Sequence, residues 1–261
     1  MIQVVSKQPT TTIASVKKAL RILSEIARSP SGATASDVSR ALGLPLPTTY
    51  HLLNTLAEEA ALVKTADRRY RLGPRIGALS AAYFEQTEPD ERALAPMRWL
   101  AEETGETAYL SGWRGADIEV LASAEGRHAV RVAGLQRGTH GHAHARASGK
   151  LLLAHASETL RSAYLSRHDL TAVTPNTITS LERLEREFEQ IRSRGYAVDS
   201  EEFVLGVACV SAPIVFDETI IGAYTVTAPV ERFRADERRL TDAVIAAAER
   251  ASGAAAMAEA S

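Results

Sequence analysis

The sequence predicts an α+β chain in two parts: a small helical head that ends in a β-hairpin, and a larger domain of helices around a mainly antiparallel sheet. Three observations carry this reading. Between Ser15 and Leu72, three short helical patterns separated by tight breaks are followed by two brief extended runs. Beyond Ala93, helical periodicity alternates with β-branched runs. Charge divides at the same place: residues 1–75 hold 11 Lys and Arg against 5 Asp and Glu, whereas the rest hold 19 against 27. A basic head on an acidic body suits a head that faces a polyanion.

Residues 1–12 read as a flexible arm. From Ser15, placed to cap the first turn, Val16, Ala19, Leu20, Leu23, Ile26 and Ala27 recur at helical spacing, and Ser29-Pro30-Ser31-Gly32 breaks the pattern. Thr34 with Asp37 three residues on forms a capping pair for a short second helix that stops at Gly43. Pro47 is preset for the first turn of a third helix that runs to about Glu59. Its buried stripe is Thr49, Leu52, Leu53 and Leu56, which turns Thr48, Tyr50, His51, Asn54 and Thr55 outward. Leu62–Lys64 and Tyr70–Leu72, joined by the polar turn 65–69, form a hairpin. Together these elements make a winged helix-turn-helix over 13–73, with the third helix shaped for a major groove and the hairpin for the backbone. The structural alternative is a three-helix bundle that never meets nucleic acid.

Residues 74–90 read as a linker helix whose apolar stripe, Ile76, Leu79, Ala82 and Tyr83, needs a partner; a second copy of the chain is the economical candidate. In the body (91–257), helices are expected at 97–103, 150–156, 181–194 and from Asp236 to about Met257. Strands are expected at 107–113, 118–123, 207–216 and 220–227.

Composition sets bounds on function. With 45% hydrophobic and 24% charged residues the chain can bury a core, which excludes disorder of the whole. No run suits a membrane span, and Met1–Thr12 lacks the apolar stretch of a secretory leader, so a cytoplasmic protein without a membrane partner is expected. One cysteine, Cys209, excludes a disulfide framework and a multi-thiolate metal site. Ser148-Gly149-Lys150 is no phosphate loop: His144 stands where the first glycine is needed, and Leu151 replaces Ser/Thr.

Several segments, in order, resemble the IclR family of transcription regulators. They are Ser15–Leu23, Gly43-Leu44-Pro45 through Leu56, Tyr70–Gly73, Leu100–Thr107, His144–Lys150, Gly195–Glu202 and Gly206–Pro213. The resemblance implies a homodimer or dimer of dimers whose heads grip double-stranded operator DNA. It further implies a GAF-like C-terminal domain that binds a small organic or aromatic acid, with no cofactor and no catalysis. Carried over, the ligand site falls on His144, Ala147, Ser148, Asp199, Val207, Cys209, Thr225 and Thr227. Arg146 departs from the family's small residue; it is placed either to fork a ligand carboxylate or to pair with Asp199 or Glu201. Leu46 and His51 stand where the family often has basic residues. That shifts expected DNA contacts toward Lys17, Lys18, Arg21, Arg68, Arg69 and Arg71, beside Thr48, Tyr50, His51 and Asn54.

Rival readings use the same residues. On an extended segment His140, His142 and His144 share a face and could hold a metal, although no metal is expected. Cys209 could serve a thiol enzyme, and Asp199, Glu201 and Glu202 an acid/base pair. A sensor acting through protein contacts alone is the remaining alternative.

Overall fold

In the computed structural model, which describes residues 12–128 and 135–259, the chain divides into two compact units between Thr87 and Glu88. All but the last residue of the expected arm lies outside the described residues.

The first unit holds α1 (Ala14–Ala27), α2 (Ala35–Leu42), α3 (Leu46–Glu58), the hairpin β1 (Leu62–Lys64) and β2 (Tyr70–Leu72), and α4 (Pro74–Gln86). Ser15 does not cap α1. The cap position is Ile13, and the buried face is Ile22 and Ile26, with Val16 and Leu20 left in solvent. The expected stripe was therefore rotated, because its apolar positions cannot say which of two faces meets the rest of the head. In α2 the Thr34 hydroxyl accepts from the Asp37 amide and the Asp37 carboxylate accepts from the Thr34 amide, and left-handed Gly43 ends the helix. In α3, Thr49 and Leu53 are buried. Tyr70 fills the core beneath the hairpin, and Ala33 bridges to it, so the turn before α2 clamps the wing. As the stripe implied, α4 buries none of its residues: Leu79 is 60% exposed and Tyr83 is exposed.

The second unit is built on a five-stranded antiparallel sheet. Its strands are β3 (Thr107–Arg114), β4 (Asp117–Ala124), β5 (Ala197–Ser200), β6 (Val207–Phe216) and β7 (Thr219–Pro229), in the order β4-β3-β7-β6-β5. The helices are α5 (Glu91–Thr104), α6 (Ala147–His155), α7 (Glu158–Leu165), α8 (Leu181–Arg194) and α9 (Val230–Glu259), which breaks helical geometry at Asp236. Helix α5 starts six residues earlier than expected. Asp90 caps it, and Pro96 sits inside, forgoing one backbone hydrogen bond. Helix α7 and strand β5 were not foreseen.

Because strand side chains alternate faces, the sheet sorts its residues cleanly. One face presents Ala108, Leu110, Val210, Ala212, Tyr224 and Val226 to α5 and α9. The other carries Cys209 and Ala223 with α6 and α8, around Leu151, Phe188 and Ile191. That second face holds the site.

Candidate functional site

On the head, the outward side of α3 is polar as its periodicity requires: Tyr50, His51 and Asn54 are exposed, and Thr48 is half-buried. Lys17, Arg21, Arg68 and Arg71 are exposed and Lys18 is half-buried. Arg69 differs. Its Nη1 donates to the Gly32 carbonyl at 3.0 Å, and its Nε lies 3.5 Å from Asp67, so the guanidinium ties the wing to the turn before α2.

The body encloses a cavity of about 100 Å³ whose floor is the second face of the sheet. Register builds that floor. Cys209 lies opposite both Asp199 and Thr227, and Tyr109 opposite Thr225, so side chains from β3, β5, β6 and β7 stand in cross-strand rows on one side. Ser111, two residues beyond Tyr109, joins them. The walls are the start of α6 (Arg146, Ala147, Ser148), Phe203 and Val204 from the turn after β5, Val207, and Leu135. Glu201, in left-handed backbone, and Gly206 shape that turn, with the Gly206 amide donating to the Glu201 carboxylate at 2.8 Å.

Eight of the nine ligand residues read from the sequence line this one cavity: Arg146, Ala147, Ser148, Asp199, Val207, Cys209, Thr225 and Thr227. His144 does not. It is buried behind the wall with Nε2 on the Thr171 carbonyl at 3.0 Å. Sequence reasoning missed Tyr109, Ser111, Leu135, Phe203 and Val204. Alternation along β3 places the first two on one face, but only the pairing of β3 with β7 makes it the face of Thr225; Leu135 carried no signal.

The polar groups are unevenly satisfied. Arg146 is 2% exposed, and one nitrogen donates to the Ile118 carbonyl at 2.9 Å while Nε and Nη1 have no hydrogen-bond partner. Its expected alternative, a salt bridge to Asp199 or Glu201, does not form. One Asp199 oxygen instead accepts from the Glu202 amide (2.7 Å) and the Phe203 amide (3.4 Å), and Glu201 pairs with Arg234. Arg146 also occupies the N-cap of α6 without a side-chain cap, so the first amides of that helix face the same end. The Ser111 hydroxyl is buried without a partner.

Burial dominates the electrostatics. It pushes the Asp199 carboxyl up to about 7, the neighbouring Glu202 charge adding to the rise. It lowers Arg146 below the ordinary guanidinium range. The Cys209 thiol is driven well above its usual value by burial, and it donates to the Thr227 hydroxyl at 3.1 Å. Behind the wall, Lys150 is 1% exposed and holds Glu202 at 2.5 Å and Glu187 at 3.5 Å.

No group of three or more His, Cys, Asp or Glu among the described residues is placed to hold a metal. The alternating histidines fail because their segment is not extended: His142 is left-handed and Ala143–Ala145 form a single 3-10 turn.

Family models match both units. Residues 15–65 match the IclR helix-turn-helix domain, and residues 81–253 match the C-terminal domain of bacterial IclR transcriptional regulators. The chain belongs to the IclR family. Among its relatives, the HTH-type transcriptional regulator BhcR of Paracoccus denitrificans is 34% identical over 90% of this chain and 85% of its own length. The repressor AllR of Escherichia coli K12 is 28% identical over 85% and 82%. The crystal structure of an IclR regulator from Alicyclobacillus acidocaldarius superposes with a TM-score of 0.72 at 26% identity, covering 94% of this chain and all of that one. The protein is thus an IclR-type transcriptional regulator with a helix-turn-helix DNA-binding unit. No helix among the described residues is long and apolar enough to cross a membrane.

Proposed function

We propose that this IclR regulator binds operator DNA through the polar face of α3 and its wing, and that a small organic acid in the body's cavity modulates that binding. Arg146 carries the reading. A buried guanidinium with two unsatisfied nitrogens at a cavity wall is costly unless an anion completes it, and a carboxylate matches its fork. The uncapped amides of α6 favour the same charge at the same end. The ligand leaves unchanged, a view supported by Cys209: burial, with the Asp199 charge adding to it, keeps its proton on sulfur, where it is no nucleophile.

The exposed stripe on α4, continued in kind by Ile13 at the cap of α1 and Val16 and Leu20 on it, is the surface through which two copies pair, which sets two recognition helices on successive major grooves. The test is a thermal-shift screen of small organic acids, followed by gel shifts on the DNA upstream of the protein's own coding sequence with and without each hit. An acid that raises the melting temperature and alters the shifted band supports the reading; hits that leave the band untouched refute the coupling. Leu79→Glu should weaken dimerisation and operator binding together, by sedimentation and by gel shift. A monomer that binds DNA unimpaired would remove α4 from the interface.

A further inference from the structure

We infer that acid binding in this cavity is proton-coupled: a carboxylate seats on Arg146 as Asp199 takes one proton from solvent, so occupancy reports acid concentration and pH together. The inference rests on the cavity being the effector site and adds a regulation to it.

The argument is one of unmatched partners. Around Asp199 stand Arg146 at the N-cap of α6 and Lys150 on that helix, Glu202 in the turn after β5, Glu187 on α8 behind Lys150, and Cys209 across the register on β6. Tyr109 on β3 and Thr227 on β7 complete the lining. Lys150 serves Glu202 and Glu187, and Arg194 serves Glu187 at 2.9 Å. Two groups are left over on opposite sides of the ledger. Arg146 has no carboxylate, and Asp199 has backbone amides but no cation in ion-pair reach. Both line the same small cavity, close enough for the Asp199 charge to act on Arg146.

A ligand carboxylate satisfies Arg146 and at once places a second anion beside Asp199. Two carboxylates in one low-dielectric space do not both stay charged. Asp199 is the one free to yield, because the ligand has the guanidinium. It already sits near neutrality, so the proton costs little at pH 7. No bond to the ligand is made or broken; one proton moves from buffer to the Asp199 carboxylate.

The experiment is calorimetry on the full chain with acetate, propanoate, lactate and pyruvate as probes, at pH 6, 7 and 8, in buffers of different ionisation enthalpy. For an acid that binds, uptake of about half a proton is expected at pH 7, less at pH 6 and more at pH 8, with affinity falling by up to about tenfold per pH unit above 7. Asp199→Asn should abolish both the uptake and the slope; should that variant not fold, the wild-type profile decides alone. Binding that requires Arg146 but exchanges no proton, or uptake that persists in Asp199→Asn, overturns the coupling and leaves the effector site standing. If none of the four acids binds, or binding survives Arg146→Ala undiminished, the effector reading falls and the coupling with it.

Discussion

The head and the cavity treat their polar groups in opposite ways. On α3, Tyr50, His51 and Asn54 stand in water, which satisfies them until a partner arrives. In the body, Arg146 and the Ser111 hydroxyl are already stripped of water and left short of partners. A long, rigid polyanion is met on a hydrated surface, where each contact exchanges water for phosphate or base and nets little. A small ligand has few atoms with which to gain affinity, so under the proposed function Arg146 and Ser111 are buried before it arrives, and folding carries that cost.

The contrast breaks first at Arg146. Replacing it with alanine should weaken acid binding by about 2–5 kcal/mol, the range for truncating one member of a buried charged pair, which calorimetry would read as a loss of thirtyfold or more. Thermal stability should hold or rise, because an uncompensated buried charge is removed. A loss below threefold would mean that the cavity's cation is not its anchor.

Asp199 sharpens the same point through pH. Its folded value, about 7, lies above the ordinary carboxylate value near 4, so the folded state holds this proton more tightly than the unfolded chain does. Its contribution to stability is therefore present at low pH and is lost as pH climbs from about 4 through about 7. Asp199→Asn should erase that loss and be more stable than wild type at pH 8 by on the order of a few kcal/mol, seen as a higher melting temperature, with the gap closing at pH 4. Parallel melting curves at both pH values would show that the site costs nothing to keep.

On the hydrated side the effects should be smaller. Asn54→Ala on α3 is expected to cost about 1–3 kcal/mol of operator affinity and to relax base preference at one position of each half-site, read by binding to a panel of single-base operator variants. An unchanged preference would take Asn54 out of the groove.

Legibility in the sequence follows the same division. Helix α8 and strand β6 occupy the expected residues because their periodicity is unmixed: Leu184, Phe188 and Ile191 on one side of α8, and Ala208, Val210, Ala212 and Ile214 on one face of β6. Strand β5 was missed because a buried charged residue corrupts its pattern. Ala197 and Asp199 are buried on the side of α6, Val198 packs part-buried against the opposite core, Ser200 is exposed, and a buried aspartate sits where alternation asks for an apolar residue. Helix α1 misled in the opposite sense, since Val16 and Leu20 are apolar yet exposed. The cavity residues were reached through family resemblance, whereas Tyr109 and Ser111 needed the strand register that only the fold supplies. Arg146 was marked as a departure, but nothing in the sequence chose between ligand and salt bridge; burial with no carboxylate in ion-pair reach favours the first.

The smallest expected effect separates two neighbours that the sequence treated alike. Arg68 and Arg69 both read as wing contacts to phosphate. Arg68 sits at the turn in left-handed backbone with its side chain in solvent, whereas Arg69 holds Gly32 and Asp67. Arg68→Ala should therefore reduce the slope of log affinity against log salt by about one while leaving the head's stability intact. Arg69→Ala should act the other way: loss of its bond to the Gly32 carbonyl costs about 1 kcal/mol, seen as faster amide exchange where Ala33 pairs with Tyr70, with a smaller change in salt slope. Equal slopes for the two variants would mean that DNA draws Arg69 off its internal partners, and the wing would then behave like the cavity, its cation held ready rather than spent.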